Sequence, residues 1–145
     1  MVIASILKGK GNQVVSLGPD DTILDLARLL ARHRIGAALV RAPDGRLLGI
    51  VSERDVIRGM AGHGTGTTTL PVSQVMTRDL VTVLPETQVI EALGLMTQRR
   101  VRHLPVLDAG GGLIGMVSIG DLVKARIEEA EQEAEELKHY VTAAG

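Results

Sequence analysis

Apolar residues recur in two registers along this chain. Ile23, Leu26, Ala27 and Leu30 are spaced i, i+3, i+4, i+7, the single face of an amphipathic helix. Val89, Ala92, Leu93 and Met96 repeat that spacing 66 residues later. Each helix is predicted to follow a short β-rich run, Val14–Leu17 or Leu80–Leu84, broken by Pro19 or Pro85. Asp21 and Thr87 are the expected N-caps, and the helices should end near Arg34 and Arg100. Two strands follow each helix: Ala37–Arg41 and Leu47–Val51, then His103–Leu107 and Leu113–Val117. Pro43-Asp44-Gly45 and Ala109-Gly110-Gly111-Gly112 are the turns that join them. A further helix should start near Ser52 and again near Ser118.

The order strand–helix–strand–strand–helix is therefore written twice. Residues 14–58 align on 80–124 without a gap, and eleven of the 45 positions are identical. The identities include Pro19/Pro85, Arg34/Arg100, Gly49/Gly115, Ser52/Ser118 and Asp55/Asp121. One repeat of this size buries too little surface to stand alone. The expected fold is α+β, two tandem repeats sharing a core about a pseudo-twofold axis. A helical turn precedes each repeat, because Ile3, Ile6 and Leu7 match Val72, Val75 and Met76 in spacing. The organisation read from sequence is a first repeat over 1–61, a Gly/Thr-rich linker over 62–71, a second repeat over 72–125 and a helical extension over 126–145. Ile127, Ala130, Ala134, Leu137 and Val141 give the extension a heptad-like seam among glutamates. It reads as one long solvated helix, or as a helix that packs on a second copy, or as disorder.

Composition narrows the chemistry. The 145 residues contain no Cys, Phe or Trp, and Tyr140 is the one aromatic. The core must be aliphatic, and no disulfide, thiolate metal site or cysteine nucleophile is available. A formal net charge of −1 gives no basic excess for nucleic acid. No apolar run reaches membrane-spanning length, and Met1–Leu7 is too short and interrupted for a secretory signal. A cytoplasmic protein is expected. His33, His63, His103 and His139 share no metal-ligand spacing, so no metal is expected. The basic clusters at Arg99–His103 and Arg32–Arg34 offset a helix dipole; phosphate binding is the alternative for the first and nucleic acid a lesser one for either.

Ser52 and Asp55, like Ser118 and Asp121, fall where a strand hands over to a helix. Backbone N–H groups are unpaired there and the helix dipole is positive, which suits an anion or a hydroxyl-rich ligand. The bland reading is a helix cap. Gly49-Ile50-Val51-Ser52-Glu53-Arg54-Asp55 and Gly115-Met116-Val117-Ser118-Ile119-Gly120-Asp121 resemble the strand-to-helix signature of the cystathionine-β-synthase (CBS) domain family. His103-Leu104-Pro105-Val106-Leu107-Asp108 is similar to its second-strand signature, whereas repeat one has Ala38-Leu39-Val40 and lacks the proline.

The resemblance covers residues 1–125 and implies a stand-alone CBS pair that binds an adenine nucleotide and dimerises. It implies that the two aspartates hold ribose hydroxyls. It implies one cleft of Ser52, Arg54 and Asp55 with Thr82, Val101, Arg102 and His103. The second would join Ser118 and Asp121 to Ser16, Ile35, Gly36 and Ala37. The first, with two arginines, is expected to bind a phosphorylated ligand more tightly. AMP is favoured; ADP, ATP, NAD(H) and S-adenosylmethionine are alternatives. No catalytic constellation or catalytic cofactor is expected. The expected function is regulatory sensing through a homodimer. The alternative is a ligand-free module that contacts a partner enzyme through the C-terminal helix.

Overall fold

The computed structural model describes residues 1–144. Element order follows the repeat. Helix α1 spans Ile3–Lys10. The first repeat supplies β1 (Ser16–Leu17), α2 (Ile23–His33), β2 (Ala37–Arg41), β3 (Leu47–Ser52) and α3 (Glu53–His63). The second supplies α4 (Val89–Arg99), β4 (His103–Leu107), β5 (Leu113–Ser118) and α5 (Ile119–Ala144). The Gly/Thr linker is not a loop but a 3₁₀ helix, Gly64–Thr69, held by Thr67, whose hydroxyl donates to the Gly64 and Gly59 carbonyls.

The helix starts lie one residue later than the pattern suggests. Thr22, not Asp21, caps α2, in a reciprocal box with Asp25. Asp21 instead takes the Gly18 N–H, and Thr87 takes the Leu84 N–H, so both build the turn before the helix. Gln88 occupies the N-cap of α4 without a side-chain bond. Both helices stop at an arginine in the left-handed region, Arg34 (φ 54°) and Arg100 (φ 55°). Of the α2 stripe, Ile23, Leu26 and Leu30 are buried but Ala27 is exposed.

The chain divides into two compact units. The first-repeat unit runs from Gln13 to Leu80; the second-repeat unit joins Met1–Asn12 to the chain from Val81 onward. In the first, β1 pairs parallel with β2, and β2 antiparallel with β3, in register Ala37↔Ser52. Leu26, Val40, Val51 and Val72 are core residues, so the segment after the linker closes this unit. In the second, β4 and β5 pair antiparallel in register His103↔Ser118. The run expected over 80–84 is reduced to a single parallel bridge, Val83↔Val106.

Helix α1 packs in the second-repeat unit. Ile3 and Leu7 lie in one core with Leu104, Val106, Val117 and Leu122. Ile3 N–H donates to Thr87 O and Ala4 N–H to Pro85 O. The hairpin turns use glycine where φ is positive, Gly45 (89°) and Gly111 (85°). Leu122 and Ala125 seat the start of α5, whereas its heptad-like seam from Ile127 to Val141 is exposed throughout. No helix among the described residues is long and apolar enough to cross a membrane.

Candidate functional site

In each unit the antiparallel hairpin delivers a serine to the end of a strand and the start of a helix. Ser52 caps α3, its hydroxyl accepting the Asp55 N–H at 3.3 Å. Ser118 does the same for Asp121 at 3.2 Å. Each aspartate returns the bond through Oδ2, to Ser52 N–H and to Ser118 N–H, both at 2.9 Å. The capping role is therefore present at both positions. It uses one carboxylate oxygen and leaves the other to be settled by the surroundings.

The surroundings differ. Asp55 is buried, with 5% exposure. Its Oδ2 also accepts from Ser52 Oγ at 3.1 Å, while Oδ1 accepts from Thr77 Oγ at 3.1 Å and Arg58 Nη1 at 3.3 Å. A carboxylate has about four lone-pair sites; all are engaged here. Asp121 is more open, its side chain 26% exposed. Lys10 Nζ lies 2.6 Å from its Oδ2, and Oδ1 has no hydrogen-bond donor among the described residues. Burial pushes the Asp121 carboxyl up. The Lys10 hydrogen bond, the Ser118 amide and the Lys10 charge outweigh it and hold the group below the ordinary aspartate value.

That depression has a sign for stability. The folded value lies below the unfolded one, about 3.9 for aspartate. The stabilisation is therefore fully present above that value and is lost as pH falls through the folded value. We expect Lys10→Met to flatten the dependence of unfolding free energy on pH below about pH 5. Urea titrations at several pH values check this; an unchanged slope would show that Lys10 does not set the shift.

The remaining predicted positions distribute by unit. Gly36 and Ala37 sit beside Ser52: Ala37 is its strand partner, and Gly36 O accepts the Glu53 N–H at 3.0 Å. Ile35 N–H donates to Leu30 O, closing α2. Ser16 lies on β1, paired with Leu39. Arg54 is exposed on the first turn of α3. In the second-repeat unit His103 is the strand partner of Ser118, and Arg102 O accepts the Ile119 N–H at 2.8 Å. Val101 N–H closes α4 on Met96 O, and Thr82 precedes the Val83 bridge. Arg102 and His103 thus share one end of a hairpin with Ser118 and Asp121, and Gly36 and Ala37 share one with Ser52 and Asp55.

Three residues that complete these sites carry no motif: Thr77 and Arg58 at Asp55, and Lys10 at Asp121. Arg58 lies three residues from Asp55, a spacing that does signal a helical ion pair. Lys10 is 111 residues from Asp121, and nothing local announces it. Gly120 leaves the end of α5 uncovered: a Cβ there would meet only Ser118 Oγ, at 3.6 Å. The second-repeat site is thus an open carboxylate oxygen at a helix start, with Lys10 on the same carboxylate and the Arg102 backbone at the adjoining strand end.

Three similarities bear on this arrangement. A CBS-domain protein of Agrobacterium tumefaciens has a crystal structure 40% identical to this chain, covering 87% of this chain and 99% of its own, at a TM-score of 0.84. A CBS domain protein of Pyrobaculum aerophilum, solved in complex with AMP, is 31% identical over 83% of this chain and 89% of its own, at 0.73. A mitochondrial CBS domain-containing protein of Arabidopsis thaliana is 37% identical, over 96% of this chain and 71% of its own length. The CBS domain family matches residues 11–62 and 72–128, the two repeats, so this chain belongs to the CBS domain family as a tandem CBS pair with a long C-terminal helix.

Proposed function

We propose that this CBS pair is a regulatory module that binds an adenine nucleotide, AMP ahead of ADP, ATP or NAD(H). The Asp121 carboxylate receives the ribose hydroxyls, and Arg102, which the family resemblance grouped with Asp55, receives phosphate beside Asp121 because it shares that hairpin end. The observation that carries this reading is the open Oδ1 of Asp121 at a partly exposed helix start. An ionised carboxylate accepts both hydroxyls of a cis-diol, and a guanidinium suits phosphate oxygens. The AMP complex of the Pyrobaculum aerophilum relative supports the ligand class. Asp121 leads over Asp55, which accepts a diol only by releasing Thr77 or Arg58. With no Phe or Trp in the chain, adenine rests on aliphatic side chains and backbone.

The test is a thermal-shift screen of nucleotide-free protein against AMP, ADP, ATP, NAD⁺, NADH and S-adenosylmethionine. Stabilisation by about 2.7 kcal/mol is expected at a hundredfold excess over the dissociation constant, and its loss in Asp121→Ala. No response to any of the six would end this reading.

Signalling requires that ligand affinity differ between two states of the protein. A homodimer supplies such states, and the surface supports one. Leu24 and Ile57 are exposed in the first-repeat unit, at 41% and 68%; Ile90 and Val123, 66 residues on, are exposed in the second, at 58% and 43%. Paired apolar side chains at equivalent positions suit contact with another copy. Light scattering is expected to show a dimer that Ile57→Glu combined with Val123→Glu converts to monomer. A monomeric parent would remove the dimer from the proposal.

One observation favours a second reading. The seam of α5, with Ile127, Leu137 and Val141 more than half exposed, is available to a partner enzyme. In that case a co-purifying protein is lost on truncation after Lys124, and no nucleotide response exists.

A further inference from the structure

We infer that the Lys10–Asp121 ion pair makes this site selective for phosphorylated nucleosides over uncharged or cationic ones. The inference rests on the nucleotide reading above and deepens it.

Lys10 is not a wandering surface lysine. It is the last residue of α1, whose Ile3 and Leu7 are buried in the second-repeat core. The helix is also tied to the Pro85 and Thr87 carbonyls, and the Met1 ammonium just before it reaches Glu129 at 3.4 Å. At Gly11 the backbone turns to φ 92°, its N–H closing on Leu7 O. The framework therefore delivers the Lys10 ammonium to Asp121 Oδ2 at 2.6 Å, with its side chain about one-third exposed. Arg102 is exposed at the same end of α5 and has no carboxylate partner among the described residues.

The charge balance sets the preference. One carboxylate is matched by Lys10, and Arg102 remains in excess. A ribose hydroxyl that donates to Oδ1 disperses part of the carboxylate charge and so weakens its attraction for Lys10 at Oδ2. A ligand with an uncharged tail weakens the ion pair and gives the ammonium nothing in return. A sulfonium tail adds a third cation. A 5′-phosphate offers Lys10 and Arg102 an anion, so the ammonium exchanges one charge-assisted partner for another. The cost of engaging Asp121 is thus offset only for phosphorylated ligands. Lys10 would act as a specificity-determining residue and not merely as an anchor for Asp121.

The probes are AMP and adenosine, titrated by calorimetry into full-length protein and into Lys10→Met and Lys10→Arg. Methionine keeps the stem and removes the charge; arginine keeps the charge. The parent is expected to prefer AMP by at least about tenfold. Lys10→Met should lose about tenfold in AMP affinity while adenosine binds as well or better, and Lys10→Arg should restore the preference. The AMP affinity should also fall less steeply with added KCl in Lys10→Met. If Lys10→Met weakens both ligands equally, Lys10 only positions Asp121 and the inference is overturned. If the parent binds neither ligand, the nucleotide reading fails and takes the inference with it. If Lys10→Met is unfolded by circular dichroism, the Lys10→Arg preference and the parent's salt dependence decide; an AMP affinity insensitive to KCl overturns the inference.

Discussion

Asp55→Ala is expected to destabilise the first-repeat unit by about 3 kcal/mol, and Asp121→Ala the second by about 1 kcal/mol. The two residues are equivalent in the repeat and carry the same cap, so the difference comes from the second carboxylate oxygen. Removing Asp55 deletes the acceptor of Ser52 N–H, Ser52 Oγ, Thr77 Oγ and Arg58 together. Arg58 loses little, since its side chain is 70% exposed and turns to water. The Ser52 and Thr77 donors lie around a carboxylate that is 6% exposed, and leaving buried donors unpaired costs about 1–3 kcal/mol for each. Removing Asp121 deletes one cap bond and one partly exposed ion pair. Urea unfolding of the two variants measures the difference. Equal losses would mean that the filled coordination of Asp55 is not what holds that corner. Asp55→Asn is the control, because it keeps one acceptor oxygen and should recover part of the loss. Nucleotide stabilisation is expected to survive Asp55→Asn and to vanish in Asp121→Ala, which separates the structural carboxylate from the binding one.

Much of the architecture was legible because the repeat is written in burial periodicity. The 3.6-residue stripe located α2 and α4, and the alternation with turn glycines located β2 to β5 to within a residue. Periodicity reports that one face is buried, not against what. Ile3 and Leu7 were legible as a helical face, but their partners Leu104 and Leu122 lie about a hundred residues away. The caps were misread by one residue because Asp21 and Thr22 are both small and polar. Only the competing demand of the Gly18 N–H decides which one caps and which one makes the turn. The strand expected over 80–84 shrank to one bridge because only Val83 pairs, through its N–H and carbonyl with Pro105 and Leu107. At the sites the serines and aspartates were visible as motifs. Their difference was not, since it depends on Thr77 and Lys10, which reach them through tertiary packing.

Gly49→Ala is expected to cost about 2–3 kcal/mol, near the upper end for overpacking, and the matching Gly115→Ala about 1 kcal/mol. Both glycines lie mid-strand, on β3 and β5, and both are buried. A Cβ at Gly49 would stand 2.8 Å from Thr77 O and 2.9 Å from Met76 Sδ. The carbonyl cannot move aside cheaply. Ile50 N–H donates to that same oxygen at 3.0 Å, and Thr77 N–H donates back to Ile50 O at 2.8 Å. Pushing the segment away breaks this bridge and also draws Thr77 Oγ from Asp55 Oδ1. The clash therefore reaches the buried carboxylate. A Cβ at Gly115 would stand 2.8 Å from Leu7 Cδ2, the far end of a flexible side chain. Leu7 can change rotamer at the expense of some packing in the core it shares with Leu104 and Leu122. The check is a pair of urea titrations with hydrogen exchange at the Thr77 and Ile50 amides. Gly49→Ala should speed exchange at both amides, whereas Gly115→Ala should leave them protected. Equal costs for the two variants, or unchanged exchange at Thr77 in Gly49→Ala, would show that the segment yields without resistance. The close approach at Gly49 would then be packing without structural consequence, and the Thr77 bond to Asp55 would stand independent of it.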